Sequence, residues 1–162
     1  MKTRQYVLLS CLLVMGPALS ACGGTSEASD GWESKQEVTA EVKKLRADTE
    51  LPPGGKWNAE VSGSDDDHYQ TGSADALVLD EAQCEWYAYW LDRTESSDDK
   101  AAATALKHFV VLHDMPAYKA NDKSYREVVQ SVEDAAELGD PSGVQGFVRD
   151  NCEGMQEGSD YQ

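Results

Sequence analysis

The chain has 162 residues and a formal net charge of −16 at neutral pH, because 30 Asp and Glu side chains outnumber 14 Lys and Arg. A charge of this sign argues against nucleic-acid binding, which needs basic patches that displace phosphate counterions. It also argues against a flat association with an anionic lipid surface. The acidic composition indicates a solvated surface, and a cationic partner or divalent ions are the alternative interpretation.

The first 22 residues have the three parts of a secretory signal peptide. Lys2 and Arg4 form a basic start, a short apolar run follows, and the segment ends with Leu19, two small residues and Cys22. The apolar run is shorter than the roughly 20 residues that a membrane-spanning helix needs. The last four residues resemble the lipobox of bacterial lipoproteins, which has an aliphatic residue and two small residues before a cysteine.

This resemblance implies that residues 1–21 are a signal peptide that is removed and that the Cys22 thiol carries a diacylglyceryl group. The mature chain would then be anchored to the cell membrane on its extracytoplasmic face, with a formal charge of −18 after the loss of Lys2 and Arg4. Two acyl chains give stable anchoring, whereas one gives only marginal binding. An ordinary cleavable signal with a chance cysteine is the alternative.

Residues 22–33 are mostly small or polar, which predicts a flexible tether between the lipid and the folded part. The chain contains no isoleucine and is rich in alanine, aspartate and glycine, a composition that suggests a GC-rich genome. In type it is similar to the small lipoproteins of uncharacterised function that Gram-positive bacteria carry, here with a high-GC host as the expectation. That similarity supplies no active site.

Signal removal and lipidation would leave two cysteines, Cys84 and Cys152, in the folded part. Disulfides persist outside the cytoplasm, so these two residues are predicted to form a bridge. A metal site is the alternative, but neither cysteine has the Cys-x-x-Cys or Cys-x-x-His neighbourhood that is typical of one.

Hydrophobic spacing predicts helices in the remainder of the chain. A first amphipathic helix is expected from about Lys35 to Asp48, and the prolines that follow Leu51 stop it. A loop from about Glu50 to Ser73 comes next and contains Trp57 and Tyr69. A loop of this length is unusual in a compact domain, which indicates either a functional segment or a short element without a clear pattern.

The second helix, from about Ala74 to Thr94, is apolar on most sides and is predicted to be the central helix of the fold. Its narrow polar face carries Glu81, Glu85 and Asp92. Its aromatic residues are expected in the core, and they are Trp86, Tyr87, Tyr89 and Trp90.

Three further helices are predicted from about Lys100 to Asp114, Ser124 to Leu138 and Pro141 to Cys152. Asp98 or Asp99 is expected to cap the first of these, which ends before Pro116. No strand pattern is evident. The fold class is therefore predicted as all-α: a bundle of four or five helices stapled by one disulfide, with a long irregular loop after the first helix. Residues 34–162 would form a single domain.

Signals for catalysis or metal binding are weak. His108 and His113 are five residues apart on one predicted helix, so they point in different directions, and His113 is expected in the interior. The run Asp65–Asp67 lacks the spaced ligands of a calcium loop and is interpreted as solvated acid. No nucleophile motif and no glycine-rich phosphate loop occur, so no enzymatic activity, cofactor or metal is predicted.

The leading functional hypothesis is a non-catalytic binding module that holds an envelope protein or a cell-wall component at the outer face of the membrane. Trp57 and Tyr69 are the predicted contact residues because exposed aromatic rings in a loop can seat a sugar or a partner side chain; for Trp57, packing as a lid on the bundle is the alternative. A second hypothesis is a hydrolase of wall polymers that uses a pair of carboxylates, one with a raised pKa. A small solute receptor is a third.

Overall fold

The computed structural model describes residues 31–161, so the predicted signal peptide, Cys22 and most of the tether lie outside it. These residues form six helices and one antiparallel sheet of two short strands. The order is β1 (Trp32–Ser34), α1 (Lys35–Asp48), β2 (His68–Gln70), α2 (Ser73–Glu95), α3 (Asp99–Leu112), α4 (Pro116–Ala120), α5 (Lys123–Glu137) and α6 (Ser142–Asn151). The prediction of an all-α bundle with one disulfide is confirmed.

Helix α1 has the predicted bounds because its start is strongly specified. Ser34 and Glu37 form a capping box, in which each side chain accepts a hydrogen bond from the backbone N–H of the other residue. Val38 and Val42 are buried one turn apart and pack with Ala74 and Val78 of α2. The amphipathic pattern therefore places α1 against the first half of α2.

Helix α2 is the central helix, as predicted. It packs against α1, α3, α4 and α6. The four aromatic side chains predicted for the core are all buried, and ring contacts link Tyr87 and Trp90 to Phe109 of α3. Burial of such large rings contributes most of the apolar area that stabilises a core of this size.

Helices α3, α5 and α6 lie close to their predicted ranges, and Asp98 caps α3 by accepting a hydrogen bond from the Ala101 N–H. The prediction that Pro116 only ends a helix was incomplete. Helix α3 ends at Leu112, and Pro116 occupies the first turn of the five-residue helix α4. Proline fits that position because the first N–H groups of a helix have no intrahelical partner. A helix this short has too few turns to show an amphipathic pattern.

The two strands correct both the tether boundary and the description of the loop. Trp32 and Glu33 were predicted to belong to the tether, but they pair with Gln70 and Tyr69 in β2. The Thr71 N–H also donates to the Gly31 carbonyl, which extends the pairing by one bond. Three-residue strands are too short to show alternating hydrophobicity, so sequence patterning could not find them.

The predicted disulfide between Cys84 and Cys152 is confirmed, with the two Cα atoms 5.5 Å apart and both residues buried. After this bridge the chain runs back over α2 and meets the loop that follows α1. The Asp160 N–H donates to the carbonyl of Gly54, and a Cβ at Gly54 would lie only 1.7 Å from the Asp160 carbonyl oxygen. Glycine is therefore required there for the close approach of the two backbones.

Over residues 31–161, no helix combines the length and the apolar character that crossing a membrane requires.

Candidate functional site

Two of the three acidic residues predicted for the polar face of α2 do not face solvent, whereas the side chain of Asp92 is 46% exposed. Glu81 and Glu85 are both fully buried, because the segment after α1 and the C-terminal segment cover them. Glu81 accepts hydrogen bonds from the backbone N–H groups of Asn58 and Ala59, the latter at 2.7 Å. The carboxylate thereby satisfies two backbone donors of a segment that has no secondary structure of its own.

Arg46 of α1 completes this arrangement. Its Nη2 lies 2.6 Å from a carboxylate oxygen of Glu81 and also donates to the carbonyl of Ala59. The guanidinium carbon lies 5.2 Å from the ring centroid of Trp57, which places the cation over the indole. One ion pair therefore ties together α1, α2 and the loop, and it holds Trp57 in place.

A groove of about 520 Å³ lies between α1 and the loop residues held by Glu81. We call it the α1 groove, and its lining consists of Lys35, Thr39, Val42, Lys43, Arg46, Trp57, Ala59, Glu60 and Val61. Half-buried Trp57 forms part of its wall and also packs against both hydrophobic clusters of the core. Trp57 therefore packs on the bundle, as the lid alternative predicted, and part of its side chain also lines the groove.

Tyr69, the other predicted contact residue, does not line the α1 groove. It belongs to β2, its ring packs beside the cluster of Val38, Val42 and Ala74, and its hydroxyl donates to the carbonyl of Ser62. The structure therefore separates the two predicted contact residues and gives Tyr69 a role in folding the loop.

The lining of the α1 groove reverses the charge balance of the chain. Three basic residues and one acidic residue line it, whereas acids outnumber bases 30 to 14 in the whole sequence. Lys35, Thr39 and Lys43 are spaced by four residues, which places them in one row on α1. This spacing is visible in the sequence and could have indicated a basic helix face, although not the wall opposite it.

Glu85 fastens the C-terminal segment much as Glu81 fastens the loop. Its two carboxylate oxygens accept hydrogen bonds from the hydroxyls of Ser159 at 2.8 Å and Tyr161 at 3.0 Å. Burial raises the pKa of Glu85, and the two hydroxyls oppose that rise. These hydrogen bonds hold the residues that follow Cys152 against α2, where the disulfide itself does not constrain them.

A third buried carboxylate, Glu133 of α5, belongs to a chain of polar groups inside the bundle. The Tyr87 hydroxyl donates to it at 2.8 Å, Gln83 donates to Tyr87, and the Tyr125 hydroxyl donates to Gln83. The other Glu133 oxygen lies 2.8 Å from His113 Nε2, close enough for an ion pair although the approach is not aligned for a hydrogen bond. Burial raises the pKa of Glu133 to about 7.

His113 and Glu133 border a small cleft of about 190 Å³ between α3 and α5. His113 stacks on Tyr118, and burial lowers its pKa, whereas His108 stacks on Trp86. The two histidines therefore contact different partners, as their spacing predicts, and His113 is only partly interior. Asp134 and Glu137 also line the cleft.

Among residues 31–161, no three His, Cys, Asp or Glu side chains are grouped so that they could hold a metal ion. The acidic run in the loop is exposed, in agreement with its interpretation as solvated acid. Asp67 closes a local turn by accepting hydrogen bonds from the backbone and hydroxyl of Ser64, and these bonds lower its pKa.

Comparison with known proteins gives no relative: no family model, no curated protein and no solved structure matches this chain.

Titration of Glu133 generates a prediction about stability and pH. Because its pKa rises from 4.5 to about 7 on folding, the folded protein binds a proton that the unfolded chain releases between these values. Its contribution to stability therefore falls as pH rises from about 4.5 to 7, by at most about 3 kcal/mol. The lowered pKa of His113 acts in the opposite direction, because the unfolded chain binds that proton more readily.

We expect Glu133→Gln to remove the larger of these two effects. In urea denaturation at pH 5 and at pH 7, the variant should lose less stability between the two pH values than the parent. Glu127→Gln is the matched control, because Glu127 lies on the same helix with its side chain 63% exposed. Parallel stability curves for the parent and Glu133→Gln would show that Glu133 is ionised throughout this range.

Proposed function

We propose that this chain is a lipoprotein anchored through Cys22 to the extracytoplasmic face of the cell membrane. Its folded part would bind an envelope protein or a cell-wall component without catalysis. The signal peptide pattern and the lipobox-like end at Cys22 support the anchor. The proposed contact site is the α1 groove, with Trp57 as its main apolar residue.

The observation that carries the binding proposal is the way in which the α1 groove is held open. Its two walls, α1 and residues 57–61, are joined beneath by Arg46 and Glu81, so contacts within the protein fix the shape of the groove. A site that is already ordered loses less conformational entropy on binding. An indole on such a wall offers a large apolar surface with few rotatable bonds.

The two other hypotheses have less support. A hydrolase needs a carboxylate with an oxygen directed at substrate, but both oxygens of Glu133 are in contact with Tyr87 or His113. The cleft beside it, at about 190 Å³, is also much smaller than the α1 groove. A solute receptor usually encloses its ligand between two lobes, whereas the described residues form a single bundle around α2.

Replacement of Trp57 tests the contact site. We expect Trp57→Ala to weaken capture of the partner on intact host cells by about tenfold, since buried aromatic anchors dominate binding energy. Capture is measured by cross-linking and mass spectrometry at a temperature where the variant is shown by circular dichroism to be folded. This check is needed because Trp57 also packs on the core.

Trp32→Ala is the matched control for that experiment, because Trp32 is 48% exposed and does not line the α1 groove. Unchanged capture by folded Trp57→Ala, or an equal loss in Trp32→Ala, would contradict the assignment of the contact site.

Replacement of the proposed lipidation site tests the anchor. With Cys22→Ser no thioether to a diacylglyceryl group can form, so the protein should leave the membrane fraction and appear in the medium or the soluble fraction. Fractionation followed by immunoblotting measures this, and retention of the variant in the membrane fraction would refute anchoring through Cys22.

A further inference from the structure

We propose that the α1 groove binds a phosphodiester-linked polymer, with the phosphates lying along the row of Lys35 and Lys43. This inference rests on the proposed function, because it names the chemistry of the ligand for the same groove. Four observations support it: the charge of the lining, the donors that are free, their spacing along α1, and the acidity of the remaining surface.

Two ammonium groups of the α1 groove have donors available for a ligand. Lys43 Nζ has no ion-pair or hydrogen-bond partner among residues 31–161. Lys35 Nζ donates to the carbonyl of Gly63 and lies 3.5 Å from Asp65, whose side chain is 87% exposed, so this ion pair is weak. At least one of the three ammonium donors of Lys35 is left for a ligand.

The state of Arg46 favours phosphate over carboxylate. The planar fork of arginine is the group that matches a carboxylate with two parallel hydrogen bonds. Here Nη2, which either bidentate face of the fork needs, already donates to Glu81 and to the carbonyl of Ala59, and Nε is buried. The lysine ammonium groups of the groove are compact point charges, which bind phosphate oxygens without requiring a planar partner.

The spacing of the donors fits a ligand with repeated charges. Lys35 and Lys43 are eight residues apart, which corresponds to about 12 Å along the helix axis. A linear polymer with one phosphate per repeat can place a separate phosphate at each lysine, while Lys35 keeps its hydrogen bond to the carbonyl of Gly63. Trp57 and Val61, on the wall opposite the lysines, present apolar surface to the uncharged linkers.

The rest of the molecule disfavours a phospholipid membrane as the source of the phosphates. The net charge is −16, so an anionic bilayer would repel most of the surface that had to approach it. A narrow polymer strand can enter the α1 groove without bringing the acidic surface against other anions.

The test is isothermal titration of the lipidated full-length chain, in nonionic detergent micelles, with a synthetic glycerol phosphate hexamer. We expect binding that weakens with salt. In Lys43→Gln the affinity should fall about fivefold, and the slope of log affinity against log salt should decrease by about one, because one phosphate contact is lost. Lys35→Gln should act in the same direction. Lys44→Gln is the matched control, because Lys44 is the next residue of α1 but does not line the α1 groove; its affinity should stay within about twofold of the parent.

Several results would overturn the proposal. Equal binding of a glutamate hexamer would show that the groove does not select phosphate, and equal binding of inorganic phosphate would show that no polymer is needed. Tighter binding to vesicles of an anionic phospholipid would assign a membrane ligand instead. Absence of hexamer binding would reject this ligand chemistry, and the effect of Trp57→Ala on cell-surface capture would still decide the proposed function independently.

Discussion

The ion pair between Arg46 and Glu81 is the interaction on which the irregular part of this protein depends. It joins α1 to α2, and the Glu81 carboxylate also accepts hydrogen bonds from the backbone N–H groups of Asn58 and Ala59 in the loop. Burial of two charges costs several kcal/mol per ion, and attraction offsets that cost only when the geometry is good and the remaining donors are satisfied. Here the loop backbone supplies additional hydrogen bonds to Glu81 and to Arg46 Nη2, while Arg46 Nε is buried without a hydrogen-bond partner among the residues that the structure describes.

Buried polar side chains of α2 hold three other parts of the chain by hydrogen bonds. Glu81 holds the loop after α1, Glu85 holds the C-terminal segment, and Tyr87 reaches across the core to Glu133 of α5. Apolar packing alone is tolerant of small shifts, whereas buried polar groups must meet particular partners. Hydrogen bonds to the central helix therefore hold the long segments that lack regular structure. The α1 groove forms because the loop is held in this position.

Sequence patterning predicted the helices that are long enough to show a periodic hydrophobic pattern. The helix bounds of α1 and the aromatic core of α2 were predicted from hydrophobic periodicity and from the prolines after α1. The Cys84–Cys152 bridge was predicted from the expected extracytoplasmic location. The two strands and α4 were missed, since elements of three to five residues contain too few repeats of the strand or helix period to show a pattern.

The two residues predicted to contact a partner lie in different places. Trp57 lies in the wall of the α1 groove, and its role in binding stays a prediction. Tyr69 has the same sequence character but lies in β2 and folds the loop. The two residues differ in the partner that each side chain meets, and for Trp57 that partner is Arg46 on α1, eleven residues earlier in the sequence. The burial of Glu81 and Glu85 depends on contacts with residues much farther away in the sequence, which hydrophobic periodicity does not report.

Hydrogen exchange of the loop amides tests most directly whether the Glu81 carboxylate holds the α1 groove together. Glu81→Gln replaces the side-chain carboxylate by a neutral carboxamide of similar size, so the charge that pairs with Arg46 is lost. We expect the N–H groups of Asn58 and Ala59 to exchange roughly 10-fold faster, since a hydrogen bond to a charged acceptor contributes about 1.5–3 kcal/mol and one to a neutral acceptor about 0.5–1.5 kcal/mol. The amides around Trp86 in α2 and the control variant Glu41→Gln, at an exposed site on α1, should match the parent. Unchanged exchange at Asn58 and Ala59 would contradict the account.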